Sequence, residues 1–403
     1  MSHPAYWIAL QAALGYHSKK VRVLMDFFSD AEGVFQATEQ ELRRCPTLTE
    51  REIRSILDRP FTTSKAIWEE CGKSDITPIT PDHPHYPDGF WNLPDMPCVL
   101  YVKGNLPRFD RDPAISVIGT RKPSVYGKLV CERVASVLAI AGVTVVSGGA
   151  LGLDSVAHQA ALDVNGTTVA VLGCGINYGY LKDNRQLRDE ICKKGALVSE
   201  YAPNAPATRY TFPARNRLIA ALSLGTVVIE AGEKSGTLIT ADQALEQGKD
   251  VFALPGNIMS PTFKGSNRLI SQGATPIFNG MDILQKYEHQ YFNRLNMHKA
   301  WELHQEHIKQ ILHIEYVSAP EVSAEPLPKK AAEKKVLQPA PKDLSETAAL
   351  VYNTLLGAKH GLSLDDLLEQ MDLQAPILLR ELTKLEMNGE IVKDPAGNYM
   401  IEN

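Results

Sequence analysis

The chain has 403 residues, room for about two to four domains of ordinary size. With 44% hydrophobic and 22% charged residues its composition is that of an ordinary globular protein. The 42 Lys and Arg against 47 Asp and Glu leave a net charge of −5, which excludes wholesale basic attraction to nucleic acid or anionic membrane, so any polyanion site must be local. The six cysteines show no Cys-x-x-Cys spacing, which argues against a zinc site or a disulfide framework and for reduced thiols in a cytosol. Residues 6–15 lack the basic start of a signal peptide, and no stretch approaches the ~18 apolar residues of a membrane span. A cytoplasmic protein without membrane contact is expected.

Residues 1–74 read as short helices separated by Gly15, Gly33 and Cys45-Pro46, with an N-capped start in Thr47-Leu-Thr-Glu-Arg-Glu-Ile53. Residues 75–112 are rich in proline and read as an extended connector. From there to about 288 the period changes: apolar, β-branched runs recur at 115–119, 143–148, 167–173, 196–200, 226–231, 250–255 and 275–278, with room for a helix in each interval. Near-continuous apolar strands alternating with helices predict an α/β domain, a doubly wound, mostly parallel Rossmann-like sheet covered on both faces. Residues 289–343 form a linker, with a helix expected over 296–313 and then, over 318–343, a stretch of Ala, Pro, Lys and Glu too polar to offset its ordering entropy. Residues 344–403 regain helical periodicity and close on two short strands joined at Pro395-Ala-Gly-Asn398, the pattern of a winged helix.

Ligands of a doubly wound sheet sit at the carboxyl ends of its strands, where small and cationic residues recur in this chain. After the first run stands Ile118-Gly-Thr-Arg-Lys-Pro-Ser-Val-Tyr-Gly127, inside a stretch free of acids. Gly119 lets backbone approach a ligand, and Arg121, beside Thr120 and Lys122, can fork onto a phosphate. The second run ends in Ser147-Gly-Gly-Ala-Leu-Gly152, where Gly148 and Gly149 leave N–H groups free for an anion at a helix start. Neither loop is a dinucleotide fingerprint or a P-loop, so no nucleotide cofactor and no triphosphatase activity are expected. The alternative is that these glycines only make tight turns.

The third strand-end element is Arg209-Tyr-Thr-Phe-Pro-Ala-Arg-Asn-Arg217, within an acid-free stretch over 201–229. Pro213 suits a helix start and places Arg215, Asn216 and Arg217 in the first turn, where the helix dipole disfavours arginine and an anionic partner would explain it. Tyr210 and Phe212 interleave aromatic faces with the charges, as in sites that hold single strands. A solvated basic helix end with a core Phe212 is the other reading. Ser235-Gly236 opens a fourth glycine turn, and Leu254-Pro-Gly-Asn257 follows. Together these ends make a phosphate groove rather than a catalytic pocket, and His158, a helical stretch beyond the second turn, is expected to be packed.

These residues resemble the DprA/Smf family of DNA-processing proteins. The family's motifs match Tyr86-Pro87, Leu100-Tyr-Val-Lys-Gly104, Gly119-Thr120-Arg121, Ser147 to His158, Phe212 to Ala220, Ser235 to Ala241 and Gly265 to Ala274, in one order over about residues 75–280. The chain departs from the pattern at Leu153, where Ile is usual, and at Asn177-Tyr-Gly-Tyr-Leu181, which lacks a Tyr-Pro. The resemblance implies a protein that binds single-stranded DNA without strong base preference and loads the RecA recombinase onto DNA coated by single-strand-binding protein, during natural transformation and recombination. It implies a homodimer meeting RecA near residues 268–278, no enzymatic activity and no cofactor, flanked by a sterile-alpha-motif-like helical domain and a winged helix. The groove it implies comprises Gly119, Thr120, Arg121, Lys122, Ser147, Gly148, Gly149, Arg209, Phe212, Arg215, Asn216, Arg217, Ser235 and Gly236.

Two other functions fit parts of the chain. Lysine-decarboxylase-like phosphoribohydrolases share this kind of sheet and carry a catalytic Glu in Gly-Thr-x-x-Glu; here Gly236-Thr-Leu-Ile-Thr240 has a threonine, removing the group that chemistry needs. A winged-helix DNA-binding regulator is the second, but residues 344–403 hold four basic and ten acidic residues, a balance of −6 that repels phosphate.

Overall fold

The computed structural model describes residues 3–179, 184–318, 344–358, 361–371, 373, 375–394 and 398–401. The expected linker over 319–343, Tyr180 and Leu181, and residues 395–397 of the expected wing turn lie outside them. The chain divides into two compact units, Met1–Ala319 and Pro320–Asn403.

The first unit opens with six helices, α1 (Pro4–Leu14), α2 (Val21–Phe28), α3 (Ala31–Gln36), α4 (Glu39–Arg44), α5 (Glu50–Leu57) and α6 (Phe61–Lys73). Capping boxes Thr38/Glu41 and Thr49/Glu52 start α4 and α5, each satisfying backbone N–H groups that a helix start leaves open. Trp7, Ile8, Leu10, Leu24, Val34 and Ile56 are buried, and their cluster runs on without a break into one face of the sheet that follows.

That sheet has nine strands in the order β1-β2-β6-β5-β4-β3-β7-β8-β9. The connector expected over 75–112 supplies two of them, β1 (Thr77–Ile79) and β2 (Leu100–Gly104), and β2 pairs antiparallel with both β1 and β6. Proline in and around these short strands hid them, Pro78 lying within β1 at the sheet edge, where an N–H can be spared. The other seven, β3 (Ala114–Ile118), β4 (Thr144–Ser147), β5 (Thr168–Leu172), β6 (Ala196–Ser199), β7 (Gly225–Val228), β8 (Asp250–Ala253) and β9 (Thr275–Pro276), are parallel to one another and fall on the seven apolar runs. Their crossovers carry α7 (Val125–Ile140), α8 (Leu153–Asp163), α9 (Arg185–Lys194), α10 (Thr211–Ala221), α11 (Gly236–Glu246) and α12 (Lys264–Ser271). Beyond β9 come α13 (Met281–Tyr287) and α14 (Met297–Ser318). From β3 the chain winds outward through β4, β5 and β6, then returns to place β7 on the other side of β3. The switch point of the sheet therefore lies between β3 and β7, where a crevice opens at the strand ends.

The second unit packs α15 (Glu346–Gly357), α16 (Leu364–Gln370) and α17 (Ala375–Met387) against a hairpin of β10 (Val392–Lys393) and β11 (Tyr399–Met400). Val351, Leu367, Leu378, Leu382 and Tyr399 form its own core, the winged-helix arrangement expected. Among the described residues no helix is long and apolar enough to cross a membrane.

Candidate nucleic-acid interface

A cleft of about 610 Å³ occupies the switch point, lined by the end of β3, the start of α10 and the start of α11. The loop after β3 is fixed from both sides. Thr120 N–H donates to the Glu230 carbonyl at 2.8 Å, and Leu153 N–H donates to the Thr120 carbonyl at 3.2 Å. The buried Glu230 carboxylate accepts from Ser124 N–H at 3.0 Å and from its hydroxyl at 2.9 Å. Gly152 permits this junction: it has φ 89°, and a Cβ there would lie 2.6 Å from Arg121 Cα. Backbone approaches that close only where no side chain intervenes. Arg121 is thereby held out over the cleft with its guanidinium carbon 5.6 Å from the centre of the Phe212 ring.

The segment before α10 makes a second such pair. Arg209 stacks 4.7 Å from the Tyr210 ring centre and donates to its hydroxyl, and the ring is 68% exposed. Thr208 and Thr211 tie the ends of this turn: Thr211 hydroxyl donates to the Thr208 carbonyl at 3.0 Å, and Thr208 Oγ1 accepts from Tyr210 and Thr211 N–H. Among the described residues no carboxylate lies within 4.0 Å of a nitrogen of Arg121, Lys122 or Arg209. Charges without such a partner are open to an outside anion, and an arginine on an aromatic face can still turn N–H groups to a phosphate.

The structure brings Gly119, Thr120, Arg121, Arg209, Phe212, Asn216, Ser235 and Gly236 to this one cleft, with Arg215 at its floor. Other residues of the expected groove sit deeper or elsewhere. Arg215 is only 5% exposed. It donates to the Gly148 carbonyl at 2.7 Å and to the Val171 carbonyl, bolting the turn after β4 to β5. Ser147 at the end of β4 and Gly148 and Gly149 in that turn are buried, with Ser147 hydroxyl donating to the Val117 carbonyl at 2.7 Å. The space between the two glycines and Phe212 is about 10 Å³, room for no more than one water. Arg217 leaves the cleft altogether. Its guanidinium meets both oxygens of the buried Glu200 carboxylate at 2.9 Å and Asp95 Oδ2 at 2.9 Å. The arginines that seemed to demand an anionic ligand at a helix start thus find internal carbonyls and carboxylates. Lys122 is exposed but stands outside the lining of the cleft.

Buried charge shapes the floor. Burial pushes the Asp154 carboxyl up, only partly opposed by Arg215, and the same burial pushes Arg215 down. His158 is fully buried, with Nδ1 2.7 Å from Thr168 Oγ1. The Thr168 hydroxyl donates to the Val145 carbonyl, so the ring N–H is its donor, and burial drops the imidazole to about 3. It is a packed histidine, as its position predicts. Sequence reasoning missed Pro213, Thr237, Ile239 and Thr240 as lining residues. Thr237 and Thr240 stand about one turn apart on α11 with Ile239 between them, a signal readable only once α11 is known to face α10.

Residues 77–288 match the family described as DNA recombination-mediator protein A, and residues 335–397 match the DprA winged helix domain. The chain is 39% identical to DNA processing protein DprA of Bacillus subtilis over 201 residues, 50% of this chain and 68% of that protein. It is 36% identical to Protein Smf of Synechocystis over 287 residues, covering 70% and 72%. It is similar also to the X-ray structure of DNA processing protein A from Streptococcus pneumoniae, at 32% identity and a TM-score of 0.62, over 71% of this chain and 98% of that one.

Proposed function

This chain belongs to the DNA recombination-mediator protein A family, and we propose that it binds single-stranded DNA in the switch-point cleft and delivers the RecA recombinase to it. The observation that carries this reading is the pair of arginine-on-aromatic contacts at one cleft, Arg121 with Phe212 and Arg209 with Tyr210, neither arginine being in an ion pair among the described residues. A base has a flat face to set against such rings whatever its identity, and a backbone phosphate takes the guanidinium fork, so affinity comes with little base preference. No part of the reading needs a catalytic residue. Gly236-Thr237-Leu238-Ile239-Thr240 places a threonine, itself a lining residue, where a phosphoribohydrolase would need its glutamate.

The loading role and the homodimer are what the family resemblance suggests for this chain. Phe278, 71% exposed just beyond β9, is the kind of side chain a paired surface covers. Two clefts on one particle would also engage one strand bivalently, raising avidity without new contacts. The test combines sedimentation of the purified chain with a RecA filament assay on single strands coated by single-strand-binding protein. A dimer that shortens the filament lag, and binds homopolymer and mixed-sequence oligonucleotides alike, is the expected result. A monomer that leaves the lag unchanged would leave a DNA-binding protein but no loader.

A further inference from the structure

We infer that His17 is a positioning residue for this cleft, tying the end of α1 to the segment that carries Arg209, Tyr210 and Phe212. The inference rests on reading the cleft as the single-strand site. His17 has φ 63°, a left-handed conformation that a side chain other than glycine keeps only where its surroundings hold it. Its surroundings are specific. Nδ1 lies 3.2 Å from Glu200 Oε2, and Nε2 lies 2.9 Å from the Tyr201 hydroxyl. The neighbouring Tyr16 ring packs tilted against that of Tyr201, centroids 4.9 Å apart, and its hydroxyl accepts from Ala202 N–H at 3.3 Å.

From Tyr201 the connection runs straight to the cleft. Its hydroxyl donates to the Thr211 carbonyl at 3.4 Å. Thr211 is the first residue of α10 and closes, with Thr208, the turn that presents Arg209 and Tyr210. His17 itself does not line the cleft. Nor is it needed to dock α1: Gln11 already holds that helix, donating to the Glu200 carbonyl at 3.2 Å and accepting from the Tyr101 hydroxyl at 3.2 Å. Glu200 in turn has Arg217 on both carboxylate oxygens. The His17 contact is therefore surplus to the packing of the helices, and what it fixes is Tyr201 and the turn beyond. If that turn loosens, the bound strand must bear the ordering entropy of Arg209 and Tyr210, so affinity falls although no phosphate contact is lost.

The test uses the full chain and a fluorescent oligonucleotide, titrated over a series of salt concentrations, for the unmodified protein, His17→Ala, Tyr201→Phe and the double variant. Each single change is expected to weaken binding about fivefold with the salt slope of the unmodified chain. The double variant should lose no more than the weaker-binding single, because both changes cut one connection. Unchanged affinity in both singles, losses that multiply in the double, or a flattened slope would overturn the assignment. Tyr201→Phe removes one hydroxyl and keeps the ring, so it decides alone if His17→Ala fails to fold. An unmodified chain that binds no single strand is seen before any variant is compared, and it removes the reading of the cleft itself.

Discussion

Arg121, Arg209 and Arg215 sit within one cleft and do different work. The guanidinium groups of the first two lie against aromatic rings, that of Arg209 also donating to the Tyr210 hydroxyl, while Arg215 donates to the carbonyls of Gly148 and Val171. Removing a cation that meets a phosphate lowers affinity and releases one fewer counterion on binding. Arg121→Ala and Arg209→Ala should therefore each weaken single-strand binding and flatten the salt slope by about one unit. Arg215→Ala should instead cost stability, roughly 2–4 kcal/mol, by leaving two buried carbonyls without donors and Asp154 without its neighbouring charge. Thermal unfolding and salt titration of the three variants separate the two roles. A slope lowered by Arg215→Ala with no loss of melting temperature would return that residue to the DNA contacts.

Loops, more than strands, decide where those side chains point, and the junction of the β3–α7 and β4–α8 loops is the clearest case. Gly152 has φ 89°, and a methyl there would press on the backbone of Thr120 and Arg121. Gly152→Ala should cost roughly 2–3 kcal/mol, and it should weaken DNA binding in chain that is still folded, because it displaces the loop carrying Arg121. Circular dichroism melting and anisotropy on the same sample read both effects. A variant that melts earlier but binds normally would show that Arg121 reaches the strand from more than one loop position. The parallel strands of this element were legible in sequence because strands buried on both faces must be continuously apolar. β1 and β2 were not, since strands of three to five residues among prolines show no period. At the cleft, Arg121 was legible because no acid lies near it in the chain. Arg217 was not: its partners Asp95 and Glu200 are 122 and 17 residues away, and only the fold brings them to it. Arg215 hid for a related reason, its acceptors being backbone carbonyls that no residue type announces.

In the whole molecule, the two units differ in what they could offer a polyanion. Every residue lining the cleft belongs to the first unit. Residues 344–403 carry four basic and ten acidic side chains. Of those bases, Arg380 and Lys384 already lie against Glu381, at 2.8 and 3.2 Å. A module so balanced meets a phosphate backbone with repulsion unless it presents a local basic patch, and the two ion pairs reduce what such a patch could contain. Ending the chain at Asp343 is therefore expected to leave single-strand affinity within about twofold of the full chain, with an unchanged salt slope, since no counterion-releasing contact is removed. Anisotropy titrations of the two lengths at matched salt check this, with circular dichroism confirming that the shortened chain is folded. Loss of most of the affinity in a folded truncation would place the winged helix in the DNA site despite its charge. A gain in affinity, largest at low salt where repulsion is least screened, would show that the acidic module holds DNA binding in check.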